Sequence, residues 1–329
     1  MAVVPVATCT AYDGDAGPRP IAELSAISDV LADSNAFVWF DAIDPTEATL
    51  EVIREEFELH PLAIEDAIHE HRQPKIDSYG SYWFIVMHAA TQAGRETTIH
   101  ELALFAGKNF VVTVRASPAY PLDEITRRFE TQAASLQRDS GALLYHILDT
   151  VVDGYANIAE FYELEVETME TALFAGKATT NDVLRSIFSM KKDVQRFRRA
   201  VAPMRDILAP IIRGDVALLE NNELPYFRDV DDHTVRAIDQ MDQARELVNN
   251  AIDLHISMGT NRQNEAAKQL SIIATVFLPL TFITGFFGQN FGYLVNHITS
   301  ESSFWWLGIG SEIVGSLALL AYFRYKRWF

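Results

Sequence analysis

The 329-residue chain has one cysteine, Cys9, so no intrachain disulfide can form and no thiolate cluster is available for structural zinc or an iron–sulfur centre. Positive charge is scarce: 27 Lys and Arg stand against 45 Asp and Glu, a formal net charge of −18. Such a chain repels phosphate backbones, which excludes nucleic acid as the expected partner and favours cations. The first residues, MAVVPVATCT, lack a basic stretch followed by a sustained apolar run, so no cleaved signal peptide is expected. HExxH, P-loop and GxSxG patterns are missing too, so no catalytic residue is assigned and no enzymatic activity is expected. With 49% hydrophobic residues the chain is not disordered.

What the chain does have is two long apolar runs near its C-terminus. Leu270 to Gly288 carries no charged residue, and Phe304 to Phe323 carries only Glu312. At 1.5 Å per residue each crosses a bilayer core, so the lipid bilayer is an expected partner. Only three of the basic residues and two of the acidic ones lie after residue 268, so the acidity belongs to the part that precedes the spans. Arg262 and Lys268 precede the first run, Arg324, Lys326 and Arg327 follow the second, and the connecting segment 289–303 has no Lys or Arg. The positive-inside rule then places both termini in the cytoplasm and the loop outside a plasma (inner) membrane, with Trp305, Trp306, Tyr322 and Trp328 as interfacial anchors.

The remainder divides into an α/β part and a helical part. Strand-like runs occur at Ala36–Phe40, Tyr82–His88, His100–Phe105 and Phe110–Val114, the last two joined as a hairpin. Helical spacing occupies Pro45–Phe57 and Pro61–Glu70, with Thr46 as a cap and Pro61 in a first turn. Beyond Pro121, heptad-like spacing predicts long antiparallel helices over 122–138, 141–174, 181–213 and 226–268, with breaks at Gly176, Gly214 and Pro225. The last meets no strong breaker before Pro279 and is expected to run straight into the first span. The resulting division is 1–120 α/β domain, 121–225 long helices, 226–268 stalk helix, 269–288 first span, 289–303 external loop, 304–323 second span and 324–329 basic tail. The fold class is a multidomain α+β membrane protein with two C-terminal transmembrane helices.

Projected at 100° per residue, Asn264, Ala267, Ser271, Ala274, Leu278, Thr281, Gly285 and Gly288 share one arc of the first span. Nearly all are small or polar. Two readings stay open: a close helix–helix packing face, or the wall of a water-lined conduit. Two spans cannot enclose a pore, so transport requires several copies around an axis.

The chain resembles the CorA family of magnesium transporters over nearly its whole length. The match is carried by NRQNEAAKQLSIIATVFLPLTFITGFFGQN (Asn261 to Asn290), HPLAIEDAIHEHRQPKID (His60 to Asp77) and PYFRDVDDH (Pro225 to His233). The resemblance implies a homopentamer whose long cytoplasmic helices form a funnel, transporting Mg²⁺, with Co²⁺ as a further cargo. It also implies an ion entrance at Gly288-Gln289-Asn290, where the family pattern is Gly-Met-Asn and this chain has Gln. A regulatory Mg²⁺ site is implied between Glu65 and Asp66 of one subunit and Asp229 and His233 of another; read from the residues alone, these carboxylates are a solvated acidic surface. Asp253 aligns with an acidic position near the inner pore.

The substituted entrance keeps a second transport reading open, proton-coupled Zn²⁺ movement of the ZntB type, and a membrane-anchored signalling or enzyme module is a third. Neutral amide oxygens suit a hydrated Mg²⁺, whereas zinc favours His, Cys or carboxylate, of which the spans hold only Glu312. A carboxylate at that depth costs on the order of 2–3 kcal/mol, so Glu312 is expected to face protein or water.

Overall fold

The computed structural model describes residues 7–13, 16–33, 36–69, 71, 73–131, 139–174, 180–216, 219, 223–297 and 300–326, with backbone only at 16, 173–174 and 180–183. Glu70, Gly176, Arg327, Trp328 and the 132–138 end of the first expected long helix lie outside the described residues. Contacts divide the chain into two units, Met1–Ile252 and Asp253–Phe329.

The first unit is built on a seven-stranded sheet: β1 (Ala7–Asp13), β2 (Ala16–Pro20), β3 (Ala36–Ile43), β4 (Lys75–Ser78), β5 (Tyr82–Ala93), β6 (Glu96–Gly107) and β7 (Phe110–Arg115). Its order is β2-β1-β3-β7-β6-β5-β4, and only the central β3–β7 pair is parallel. Alternation sends Val38, Phe40, Phe84, Val86, Phe105 and Val112 into one core, shared with Ile53, Phe57 and Ala63 of α2 (Glu47–Glu56), α3 (Pro61–Ile68) and the turn between them. Every residue of β3 but the last is buried, as a strand covered on both faces requires. On the opposite face the ring of Phe129, from α4 (Asp123–Thr131), meets Tyr12 and Phe37 edge-on or nearly so. The hydroxyls of Tyr155 and Tyr162, on α5 (Ser140–Phe174), bond the His88 carbonyl and Thr97.

A buried ion pair fastens the parallel strands. Arg115 reaches both Asp41 oxygens at 3.1 and 2.6 Å and donates to the Tyr120 carbonyl, and Thr113 donates to Asp41 at 2.6 Å. This fork is bidentate and fully hydrogen-bonded, the condition under which a buried pair is tolerated.

Local expectations fare unevenly. Thr46 caps α2 by accepting from the Thr49 amide, Pro61 opens α3 after a His60 cap, and β6 and β7 form the hairpin. At that turn a side chain on Gly107 would collide with the Phe110 ring, so glycine is required there. The edge strands β2 and β4, and β1 beside β2, are not among the expected strands. The helix expected over 181–213 is two: α6 (Thr180–Val201) and α7 (Met204–Ile212). Pro203, lacking an amide proton and crowding the preceding turn, makes the break. Pro225 was expected to interrupt, yet α8 (Leu224–Phe287) begins just before it, since the first turn needs no proline amide. α1 (Ile27–Leu31) completes the helices of this unit.

α8 is one 64-residue helix that passes the unit boundary and continues through Pro279. The second unit adds α9 (Gly292–His297), α10 (Glu301–Ser303), a π-helical segment Phe304–Gly310 and α11 (Ser311–Tyr325). The segment 289–303, expected as the external loop, holds the short helix α9. The second apolar run is helical over Glu301–Tyr325, slightly longer than expected. It and α8 are long and apolar enough to cross a membrane, and neither apolar window is buried within the chain.

Candidate functional site

The apolar part of α8 has two unlike faces. All eight stripe residues, Asn264, Ala267, Ser271, Ala274, Leu278, Thr281, Gly285 and Gly288, are exposed, as are the bulky Ile273, Phe277 and Phe282 outside the stripe, whereas Ile272, Val276, Pro279, Leu280 and Ile283 are half-buried. At 100° per residue the half-buried set lies opposite the stripe. Glu312 of α11 meets α8 between the two faces: Thr284 Oγ1 lies 2.7 Å from its Oε1. One chain thus leaves the small, polar face of the first span uncovered. Thr281 donates to the Phe277 carbonyl at 2.8 Å, so its proton is used within the helix and its oxygen remains an acceptor.

The Gly288-Gln289-Asn290 motif closes α8. The Gly288 amide bonds the Thr284 carbonyl at 2.9 Å and the Gln289 amide that of Phe286 at 3.3 Å, so the helix ends with Asn290 exposed beyond it. Asp253 is exposed on the same helix.

Glu65 and Asp66 lie on α3. Glu65 is exposed, and Asp66 is bonded at 2.6 Å by Lys75, which also reaches Asp77 at 3.2 Å. Burial works against the Lys75 ammonium, but the two carboxylates outweigh it and hold its pKa above the ordinary value. Asp229 and His233 are one turn apart on α8, with His233 Nε2 3.7 Å from Asp229. Within one chain, among the described residues, no hydrogen bond or ion pair joins the α3 set to the α8 set.

His233 instead has neighbours that the sequence reading missed. Its Nδ1 is 3.9 Å from Asp153, and one ligand atom each from Asp149, Asp153 and His233 lie within 4.8 Å of one another. Arg128 of α4 reaches Asp149 at 3.0 Å and Asp153 at 2.8 Å. Burial, then the charge of Asp153, pushes the Asp149 carboxyl above its ordinary value, against the pull of Arg128 and His233. Burial likewise takes the Tyr145 hydroxyl to about 12, with Asp149, Asp229 and Asp153 adding to it. Asp149 and Asp153 thus share one guanidinium, which also pairs with Glu124 at 2.8 Å, and Glu124 is held by Arg127 as well. No sequence signal singles them out: Asp149 and Asp153 stand one turn apart on the half-buried face of α5, and only the fold brings α4, α5 and α8 together.

A family model described as CorA-like Mg²⁺ transporter protein matches residues 34–327. The chain belongs to this family. The cobalt/magnesium transport protein CorA of Thermotoga maritima is 29% identical over 284 residues, covering 84% of this chain and 78% of that protein. The solved CorA magnesium transporter of Methanocaldococcus jannaschii superposes with a TM-score of 0.84 at 22% identity, covering 99% of this chain and 100% of the other. The full-length CmaX structure follows with a TM-score of 0.77 at 17% identity, covering 100% and 99%. At those identities the two structures establish the CorA fold. Membership in the CorA-like family makes this a membrane transport protein for divalent cations.

Proposed function

We propose that the chain assembles as a homopentamer in the plasma membrane and conducts Mg²⁺, with Co²⁺ as a second cargo, through a pore walled by the first span of each subunit. The observation that carries this reading is the uncovered stripe on α8, opposite the half-buried face. Small side chains leave width for a hydrated ion, and hydroxyl and amide oxygens offer acceptors to its water shell. Both termini then lie in the cytoplasm and 289–303 outside, as the basic flanks favour. Asn290, Gln289 and Gly288 of each subunit ring the entrance. Neutral oxygens there retain the waters that Mg²⁺ sheds reluctantly, and the membrane potential drives entry with about 2.3 kcal/mol per charge per 100 mV.

Cytoplasmic Mg²⁺ holds the assembly closed. Glu65 and Asp66 of one subunit face Asp229 and His233 of the next, with Asp149 and Asp153 extending the acidic side. Apposed carboxylates repel, so a bound cation stabilises the closed packing and its loss loosens it. Asp253 adds negative charge along the stalk. Zinc coupled to protons is the second reading, and Glu312 is the residue that would serve it.

Flux into proteoliposomes tests the proposal, with Mg²⁺, Co²⁺, Ni²⁺ and Zn²⁺ each supplied with and without a pH gradient. Mg²⁺ and Co²⁺ uptake independent of the gradient is expected, and Asn290→Ala should abolish it in a correctly assembled protein. Normal flux in that variant removes the entrance assignment, and gradient-driven Zn²⁺ uptake selects the other reading.

A further inference from the structure

A second concavity in the first unit has the opposite charge. Lys192, Arg196 and Arg199, spaced four and three apart on one face of α6, border a cavity of about 480 Å³ whose other wall holds His71, His88 and Glu101. The chain has 45 acidic residues, and neighbouring cations find them: Arg198 pairs with Asp242 at 2.7 Å and Arg205 with Asp231 at 3.5 Å. Among the described residues, no carboxylate lies within ion-pairing reach of Lys192, Arg196 or Arg199. Arg199 spends its Nε on the Gln195 carbonyl at 3.3 Å.

Glu101 does not supply the missing charge. It accepts from the His71 amide at 2.7 Å, lies 3.1 Å from the His71 ring and 3.8 Å from His88 Nε2. Burial raises its pKa, but the contacts with His88 and His71 prevail and hold it below the ordinary carboxylate range, so it is ionised and engaged by the histidines. His88, only 8% exposed, is fixed by the His71 carbonyl 3.2 Å from its Nε2. Three cations therefore border the cavity against one committed carboxylate.

We propose that this cavity is a binding site for a phosphate-bearing small molecule of nucleotide size. Guanidinium forks match phosphate oxygens bidentately, and a phosphate chain supplies the two or more negative charges that the cations lack. The volume falls within the range of small-molecule sites and exceeds what inorganic phosphate alone fills. The site is separate from the proposed cation path and stands whether or not that path is correct.

The test is equilibrium binding to the full-length protein in detergent, with EDTA present so that cation chelation plays no part, using ATP, inorganic phosphate and adenosine as probes. Saturable ATP binding is expected, inorganic phosphate should compete weakly, and adenosine should not bind. Replacing Lys192, Arg196 and Arg199 together by Ala should weaken ATP binding by about tenfold or more. Arg196→Gln alone should weaken it severalfold and serves if the triple variant assembles poorly. Lys191→Ala, on the same helix but not bordering the cavity, should leave it unchanged. No saturable ATP binding, or an equal loss in Lys191→Ala, overturns the proposal. So does a triple variant that changes oligomeric state by light scattering while wild type binds no ATP, because the cations would then meet an acidic segment of a second copy.

Discussion

The two units treat their apolar residues in opposite ways. Residues 1–252 bury theirs within one chain: β3, β5, β6 and β7 place large side chains on both sheet faces, and helices cover each. In residues 253–329 Phe323 is buried, while Leu270, Phe277, Leu278, Phe282, Trp305 and Trp306 are all more than half exposed. Apolar surface of that extent is stable only when something other than water covers it. The first unit contains its own partner surfaces; the second leaves its apolar surface to the bilayer. Stability and transport are thereby divided along one chain, and perturbations should sort accordingly.

The largest effect is expected in the self-sufficient unit. Asp41→Ala leaves the Arg115 guanidinium buried without its carboxylate between the only parallel strands, and such a loss costs about 3–5 kcal/mol. A lower denaturation midpoint for the sheet at unchanged slope, in the full chain in detergent, is the expected reading. A midpoint within the error of wild type would show that the first unit does not depend on its own buried contacts in the way the comparison requires.

A smaller effect is expected at the acidic cluster, which the proposed gating makes a cation site. Burial and Asp153 raise the Asp149 pKa, while Arg128 and His233 oppose them and Asp229 adds to them. A carboxyl raised on folding contributes stability below its unfolded pKa and loses it as pH rises through the folded value, so ionised Asp149 weakens the cation-free protein near neutrality. On the proposed reading, Mg²⁺ binds that ionised form. Its protection of the protein against protease should therefore grow as pH rises, and on acidification it should be lost at a higher pH than an ordinary carboxylate would give. Asp149→Asn should flatten this dependence, and Asp66→Asn with Asp229→Asn should reduce protection at every pH. Identical Mg²⁺ protection in wild type and variants would return all these carboxylates to a solvated surface.

How far the sequence discloses this arrangement depends on the range of the interaction concerned. β3, β5, β6 and β7 are legible because covered strands read as unbroken apolar runs, and both spans because nothing else explains so long a stretch without charge. Thr46 and Pro61 are legible because caps act within one turn. β1 and β2 are not: small and polar residues dominate ATCTAYD, and Pro18 and Pro20 in AGPRP read as loop although an edge strand accepts them. The Pro203 break was missed because apolar spacing continues on both sides of it. Asp149 and Asp153 were missed for a different reason, since only the fold brings α4, α5 and α8 together. The stripe on α8 was visible as a pattern, but its exposure is a property of the folded chain.

The smallest effect is expected at Glu312, the one carboxylate within the apolar spans, and it distinguishes the two transport mechanisms. Its contact with Thr284 gives it a plain structural task, holding α11 against α8 at a residue outside the stripe. Gln keeps the shape and hydrogen-bonding capacity that this task needs. If the conduit is formed by the stripe, no titratable group is required in α11, and Glu312→Gln should leave Mg²⁺ flux close to wild type. A proton-coupled zinc carrier using this carboxylate would behave differently: an imposed pH gradient would accelerate Zn²⁺ uptake in wild type and no longer do so in the variant. Glu312→Ala refines the reading, because it removes the contact with Thr284 as well as the proton. Loss of flux in Ala but not in Gln identifies packing of the second span, whereas equal loss in both, together with lost gradient dependence, identifies proton transfer and moves the function of the exposed unit from the stripe to the carboxylate.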